Sequence, residues 1–147
     1  MVLAEHLFDR LETKLRGLCS TSGPPYIRAA MICRQRISCI EDDGVEALGP
    51  YFGHLTSLWH LDLSMNMIGA VGAKSLGPHI ARLASIEQLY LQMNKIGDDG
   101  VKSLGPPLAK LTCIRELRLE HNGIGDAGAE SLWADLALLT ELEDCRA

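Results

Sequence analysis

The chain has 147 residues, of which 47% are hydrophobic and only 5% aromatic, and its formal net charge is −5. This length is enough for one compact domain whose core is built mainly from aliphatic side chains. A mildly acidic chain without a block of basic residues is a poor candidate for binding nucleic acid or an anionic membrane.

The first 22 residues have the pattern of an amphipathic helix, which the sequence STSGPP from Ser20 to Pro25 ends. Acidic residues interrupt its apolar positions and argue against a signal peptide, and no stretch of the sequence approaches the ~18 apolar residues that span a bilayer. Because repeat arrays need covered ends, we predict that residues 1–29 form an N-terminal helical cap and linker. A helix that binds a partner is the alternative. The apolar face of this N-terminal helix carries Leu3, Leu7, Leu11, Leu15 and Leu18.

From Ala30 onward the chain repeats itself. Units that begin at Leu58, Ile86 and Ile114 align at a spacing of 28 residues without insertion or deletion. A unit that begins at Ala30 fits less closely, and a truncated fifth begins at Leu142. Each full unit opens with LxxLxL, which has the alternation of a short strand, and continues with apolar residues at helical spacing.

Strand, turn and helix repeated in this way predict a parallel sheet with every helix on one side. Neighbouring strands lie about 4.8 Å apart and packed helices about 10 Å, so the stack should bend into a short horseshoe with its strands on the concave face. The motif LxxLxLxxNxIGxxGxxxL with this period resembles the ribonuclease-inhibitor type of the leucine-rich repeat family, from Ala30 to Ala147. The resemblance implies an α/β solenoid that binds proteins, with neither catalysis nor a cofactor.

One asparagine recurs where each predicted strand ends, at Asn66, Asn94 and Asn122. A chain that turns beneath a stack has buried backbone groups, and an amide side chain offers both donors and an acceptor to them. The resemblance implies a ladder of such asparagines, so we predict a structural role for all three.

Two adjacent carboxylates, Asp98 and Asp99, raise the alternative of a metal site. The equivalent positions of the second unit are Ala70 and Val71, and no further carboxylate follows within the loop. We therefore predict that Asp98, like Asp126 one unit later, caps the N-terminus of its own helix.

The sequence Leu-Gly-Pro recurs inside three of the predicted helices and predicts that each is short or bent there. The fourth unit has Trp133 in place of the glycine, so its helix should be straighter and the tryptophan available for contacts. The five cysteines are odd in number and widely spaced, unlike a disulfide framework or a zinc site, and they indicate an intracellular, reducing compartment.

In this family a partner would bind the strand face. Tyr90 and Arg118 would be neighbours there and suit a binding anchor, and a solvated face of mixed charge is the alternative. A catalytic His60–Asp62 pair is the enzymatic alternative, but no nucleophile is evidently placed beside it. The predicted outward residues of this face are Arg34, Arg36, His60, Asp62, Ser64, Gln88, Tyr90, Gln92, Glu116, Arg118 and Glu120.

The last predicted strand would lie at an edge of the sheet, beside apolar residues of the fourth unit. An exposed parallel edge associates readily, so we predict that a protein partner or a second copy covers it, with a fragment of a longer repeat protein as the alternative. Regulation of a GTPase, by analogy with the Ran activator, is an alternative function that rests on fold resemblance. The predicted docking edge consists of Leu136, Leu139, Leu142 and Cys145.

Overall fold

The computed structural model describes residues 40–52, 55–56 and 58–147. Within them, helices and strands alternate along the chain, as the change of periodicity inside each repeat predicts. The predicted N-terminal cap and linker lie outside the described residues. The elements are α1 (Glu41–Phe52), β1 (His60–Asp62), α2 (Ala70–Ile80), β2 (Gln88–Tyr90), α3 (Gly97–Leu108), β3 (Glu116–Arg118), α4 (Asp126–Leu136) and β4 (Asp144–Arg146).

The four described strands form one parallel sheet in the order β1-β2-β3-β4. Each residue pairs with the residue of the same repeat position in the next unit, as His60 does with Gln88 and Gln88 with Glu116. Consecutive helices pack against one another in the same order and form a second layer. This α/β solenoid confirms the predicted fold class.

The core lies between these two layers. The central leucine of each of the first three strands, Leu61, Leu89 and Leu117, is fully buried. The predicted helix faces are buried with them, as at Val101, Leu104 and Leu108 in α3. At about 2 kcal/mol for each fully buried leucine, these repeating positions supply the main stabilising contribution, and they fix which sheet face remains free.

Asn66, Asn94 and Asn122 are all buried, with exposures of 3–6%. The Oδ1 atom of Asn94 accepts hydrogen bonds from the main-chain N–H groups of Asn66 and Ile68, at 2.9 and 3.0 Å. Its Nδ2 atom donates to the carbonyl oxygens of Leu63 and Leu91. A single side chain therefore satisfies main-chain groups of two successive units, which is what a ladder requires.

Asp98 does not cap its own helix, so that prediction is wrong. Helix α3 begins without any side-chain capping bond, and Oδ1 of Asp98 instead accepts the N–H of Gly125 in the next unit, at 2.6 Å. Asp42 bonds to Gly69 in the same way, also at 2.6 Å. Since Gly69 and Gly125 are the N-cap residues of α2 and α4, each carboxylate caps the helix of the following repeat.

The second glycine of the repeat makes room for this carboxylate. A Cβ atom added at Gly128 would lie 2.5 Å from Oδ1 of Asp98, and one at Gly72 would lie 2.4 Å from Oδ1 of Asp42. Asp126 does not cap its own helix either, because it is the first residue of α4 and follows the N-cap residue Gly125, and it is exposed. The acid-glycine loops are thus contacts between repeats.

Where a unit lacks this aspartate, the turn before the helix of the next unit has a different backbone conformation. Ala70 stands where Asp42 and Asp98 stand in the neighbouring units. The glycine that follows one unit later, Gly97, takes a left-handed conformation with φ of 62° and donates its N–H to the carbonyl of Asn122. Successive units therefore alternate between two turn conformations although their sequences keep one period.

The Leu-Gly-Pro sequences do not shorten the helices, contrary to the prediction. Helices α2 and α3 run through them for 11 and 12 residues, and α4, which lacks the sequence, also has 11. The prolines lie in the last turn, so each removes one N–H donor but any distortion falls at the end of the helix, where the chain leaves it. The glycine instead allows close approach, because a Cβ at Gly77 would lie 2.9 Å from Cγ of Pro107 in the next helix.

Candidate protein-binding surface

The sheet face turned away from the helices carries the predicted binding residues, and we call it the outer sheet face. Its central row places Asp62, Tyr90, Arg118 and Arg146 side by side on successive strands. Arg34 and Arg36 lie outside the described residues. The other predicted members are half-buried, namely His60, Asp62, Ser64, Gln88, Tyr90, Gln92, Glu116, Arg118 and Glu120.

Glu116 is the centre of a hydrogen-bonded cluster on this face. Its Oε2 atom accepts from the Tyr90 hydroxyl at 2.7 Å and from the Gln88 amide at 3.0 Å. Its Oε1 atom accepts from Nε of Arg118 at 2.7 Å. Burial acts to raise the pKa of Glu116, but the hydrogen bonds from Tyr90 and Arg118 outweigh it and lower the pKa. The carboxylate is therefore charged and fully engaged.

Tyr90 and Arg118 meet as the sequence predicts. The Arg118 guanidinium lies 4.8 Å from the centre of the Tyr90 ring, within the range of a cation–π contact. Burial, followed by the hydrogen bond to Glu116, raises the pKa of Tyr90 to about 12. The His60 ring packs edge-on against Tyr90 with the ring centres 4.9 Å apart. These contacts hold the Tyr90 ring between the His60 ring and the Arg118 guanidinium.

His60 is positioned by its neighbours on the sheet. Its Nδ1 atom lies 2.9 Å from Oε1 of Gln88, and Oδ1 of Asp62 accepts the main-chain N–H of Ser64. These contacts build a row of polar side chains across the strands and do not place a nucleophile beside the imidazole. Among the described residues, no three His, Cys, Asp or Glu side chains are grouped to hold a metal ion.

The predicted docking edge is only partly accessible. Leu136 is 3% exposed and belongs to the core, while Leu139, Leu142 and Cys145 are half-buried and pack against it. Burial raises the pKa of Cys145 to about 11, so the thiol is protonated near neutral pH. The exposed apolar side chains of this flank are instead Trp133, at 49%, and Leu138, at 85%.

Two features of the outer sheet face were not predicted from the sequence. Asp144 and Arg146 of β4 form an ion pair, 2.9 Å between the closest nitrogen and oxygen, and extend the face by one strand. Met65 and Met93 lie at its rim, about half exposed, and both have the left-handed backbone conformation. Continuation of the 28-residue register would have found the β4 pair. The left-handed conformation recurs at His121, the equivalent residue of the following unit, and therefore belongs to the turn of the repeat.

No helix within the described residues is long and apolar enough to cross a membrane. Among curated proteins, no match was found for this chain. The sequence profile described as Leucine Rich repeat matches three consecutive stretches, residues 54–77, 83–105 and 110–132. Each stretch contains one strand and most of the following helix of the solenoid. The profile and the architecture agree, and the chain belongs to the leucine-rich repeat family.

Proposed function

We propose that this chain is a non-enzymatic module that binds a protein partner on its outer sheet face. The observation that carries the proposal is the anchor of Tyr90 and Arg118, held on one side by Glu116 and on the other by His60. Tyrosine and arginine contribute strongly to protein interfaces, and prior immobilisation lowers the entropy cost of binding. Leucine-rich repeats typically serve as protein-interaction modules, and this also supports the proposal.

The proposal is tested with peptides selected for binding to the 147-residue chain from a displayed random library. Arg118→Ala removes the cation of the anchor, and we expect it to weaken the selected peptides at least tenfold. Lys102→Ala is the matched control, because it removes an exposed cation from helix α3 on the other layer. Circular dichroism would check that both variants fold. Peptides whose affinity is lowered by Lys102→Ala but not by Arg118→Ala would contradict the proposal.

The flank of α4 and β4 is a second candidate contact surface, through which the chain would join an assembly. Trp133 occupies the repeat position of Gly49, Gly77 and Gly105, where the next helix of the array approaches closely. The bulky, half-exposed ring is suited to contact a side chain of another protein. Trp133→Gly should then reduce association measured by sedimentation without changing peptide binding on the outer sheet face. Regulation of a GTPase remains a prediction from fold resemblance.

A further inference from the structure

Strand β4 pairs with β3 on one side, and on its other side no described strand lies beside it. The N–H of Asp144 donates to the carbonyl of Arg115, and the carbonyl of Arg146 accepts from the N–H of Leu119. Because the main-chain groups of alternate residues point to opposite sides of a strand, the N–H and carbonyl of Cys145 point to the free side. That side can therefore form a further pair of hydrogen bonds with an added strand.

The two charged residues of β4 complement each other when the strand is read in reverse. Asp144 and Arg146 flank Cys145, and their side chains are 41% and 56% exposed. The parallel register of the sheet puts like charges side by side, since Glu116 pairs with Asp144 and Arg118 with Arg146. An antiparallel strand of the same sequence, centred on Cys145, would put each aspartate opposite an arginine. Strand β4 therefore suits antiparallel pairing with a second copy of itself.

Helix α4, which precedes this strand, differs from the other helices at the position where the next helix packs. A Cβ atom added at Gly77 would lie 2.9 Å from Cγ of Pro107, and one added at Gly105 would meet the carboxylate of Asp135. Trp133 has the same repeat position in α4 and is 49% exposed. Its indole ring excludes the close helix contact that the other units make. A second copy joined through β4 does not need that contact, because its α4 would approach in the opposite direction.

We propose, building on the second contact surface of the proposed function, that two copies of the chain associate through antiparallel pairing of their β4 strands. A two-fold axis at Cys145 would join the two sheets, with hydrogen bonds between the main-chain groups of the two cysteines. On each side of the axis Asp144 of one copy faces Arg146 of the other, with about 4.5 Å between their Cα atoms. The interface uses the same surface on both copies, so association stops at the dimer.

Analytical ultracentrifugation of the 147-residue chain over a range of concentrations measures this association. Asp144→Arg puts like charges opposite each other twice in the dimer, and we expect it to raise the dissociation constant at least about tenfold. Arg146→Asp should have the same effect. Glu87→Arg is the matched control, because it makes the same change of charge as Asp144→Arg at an exposed residue beside β2, two strands from the edge. Circular dichroism would check that every variant folds.

An equimolar mixture of Asp144→Arg and Arg146→Asp separates pairing between chains from the ion pair within one strand. Neither variant keeps the ion pair within β4, but in a mixed dimer opposite charges face each other on both sides of the axis. We therefore expect the mixed dimer to form about as tightly as the wild-type dimer, and a fluorescent label on one variant detects it during sedimentation. The control mixture combines Glu87→Arg with Arg146→Asp, which carry the same net charges without facing each other in this way.

Recovery of the dimer in the first mixture but not in the control mixture supports the strand pairing. Recovery in both would indicate general electrostatic attraction and overturn the pairing. Association that falls with Trp133→Gly but with neither charge reversal also overturns it and leaves the flank of α4 and β4 as a contact surface. A chain that stays monomeric, or that forms polymers beyond the dimer, overturns it as well. Selected peptides that Arg118→Ala still weakens would then leave binding at the outer sheet face intact.

Discussion

Replacing Asn94 with alanine should destabilise the chain far more than the same replacement at Asn66. The Asn94 side chain accepts from two main-chain N–H groups and donates to two carbonyl oxygens, all within 2.8–3.0 Å. Asn66 donates to the carbonyl of Ser64, and its Oδ1 atom has no donor among the described residues. The two variants lose the same atoms from positions of similar burial, 6% and 5%, so the hydrogen bonds are the main difference.

The expected magnitudes follow from the groups that are left without a partner. Each buried main-chain group without a hydrogen bond costs about 1–3 kcal/mol, and water that enters the vacated space recovers part of this. We expect Asn94→Ala to lower the free energy of unfolding by about 3–4 kcal/mol. Loss of the one side-chain hydrogen bond that Asn66 makes within the described residues should lower the free energy of unfolding by about 1 kcal/mol. The difference is large against the 5–15 kcal/mol by which domains are typically stable.

Urea denaturation followed by circular dichroism measures both values. The slope of the free energy of unfolding against urea concentration must be the same in the wild type and the variants for the comparison to hold. A repeat array can also unfold in parts, and a changed slope would reveal this. Equal losses at the two positions would refute the reasoning, since they would show that volume rather than hydrogen bonding sets the cost.

Three further predictions concern the contacts between repeats and the outer sheet face. Asp98→Ala should lower the free energy of unfolding by about 1 kcal/mol, because the cap of α4 is lost. Asp126→Ala should change it by less than half as much, and thermal melting compares the two variants. Gly77→Ala should lower the free energy of unfolding by about 1–2 kcal/mol, because the added methyl group meets the rigid ring of Pro107. Alanine has the better helix propensity, so urea denaturation decides whether the variant is destabilised or stabilised. The pKa of Tyr90, about 12, lies above its ordinary value near 10. Its contribution to stability should be complete below pH 10 and lost as the pH rises towards 12, and ultraviolet titration should show one late-titrating tyrosine that is absent from Tyr90→Phe.

Each of these has a contradicting result. Equal losses for Asp98→Ala and Asp126→Ala would mean that the carboxylate acts through general electrostatics and not as a cap. A stabilised Gly77→Ala variant would show that the helices separate without cost. A late-titrating tyrosine that persists in Tyr90→Phe would assign that titration to another side chain.

Periodicity in the sequence predicts the frame of this protein well. A residue that must be buried in every unit recurs at every unit, so the alternation of Leu61 and its equivalents and the helical spacing in α3 give the two layers directly. The buried asparagines follow for the same reason. The pairing register also follows, because identical units stack most simply with identical positions side by side.

Periodicity does not say which unit a side chain serves. Asp98 stands in the first turn of α3, and a capping role there is chemically sound, yet its bond goes to Gly125 in the next unit. The glycine of Leu-Gly-Pro carries the same ambiguity, since its effect is seen only against the next helix. Both contacts connect positions about one repeat apart, and a pattern within a single unit carries no information on that distance.

We expect binding specificity to come from residues that differ between units, because the repeated residues form the core and the contacts between units. The position of Tyr90 shows this: it is aspartate in the preceding unit and arginine in the following one, so the cation–π contact of Tyr90 and Arg118 forms between β2 and β3. On the other side of Tyr90 lies the ring of His60. A partner segment bound across these strands would lie on the Tyr90–Arg118 pair and beside the His60 ring, which are side chains that differ from one unit to the next.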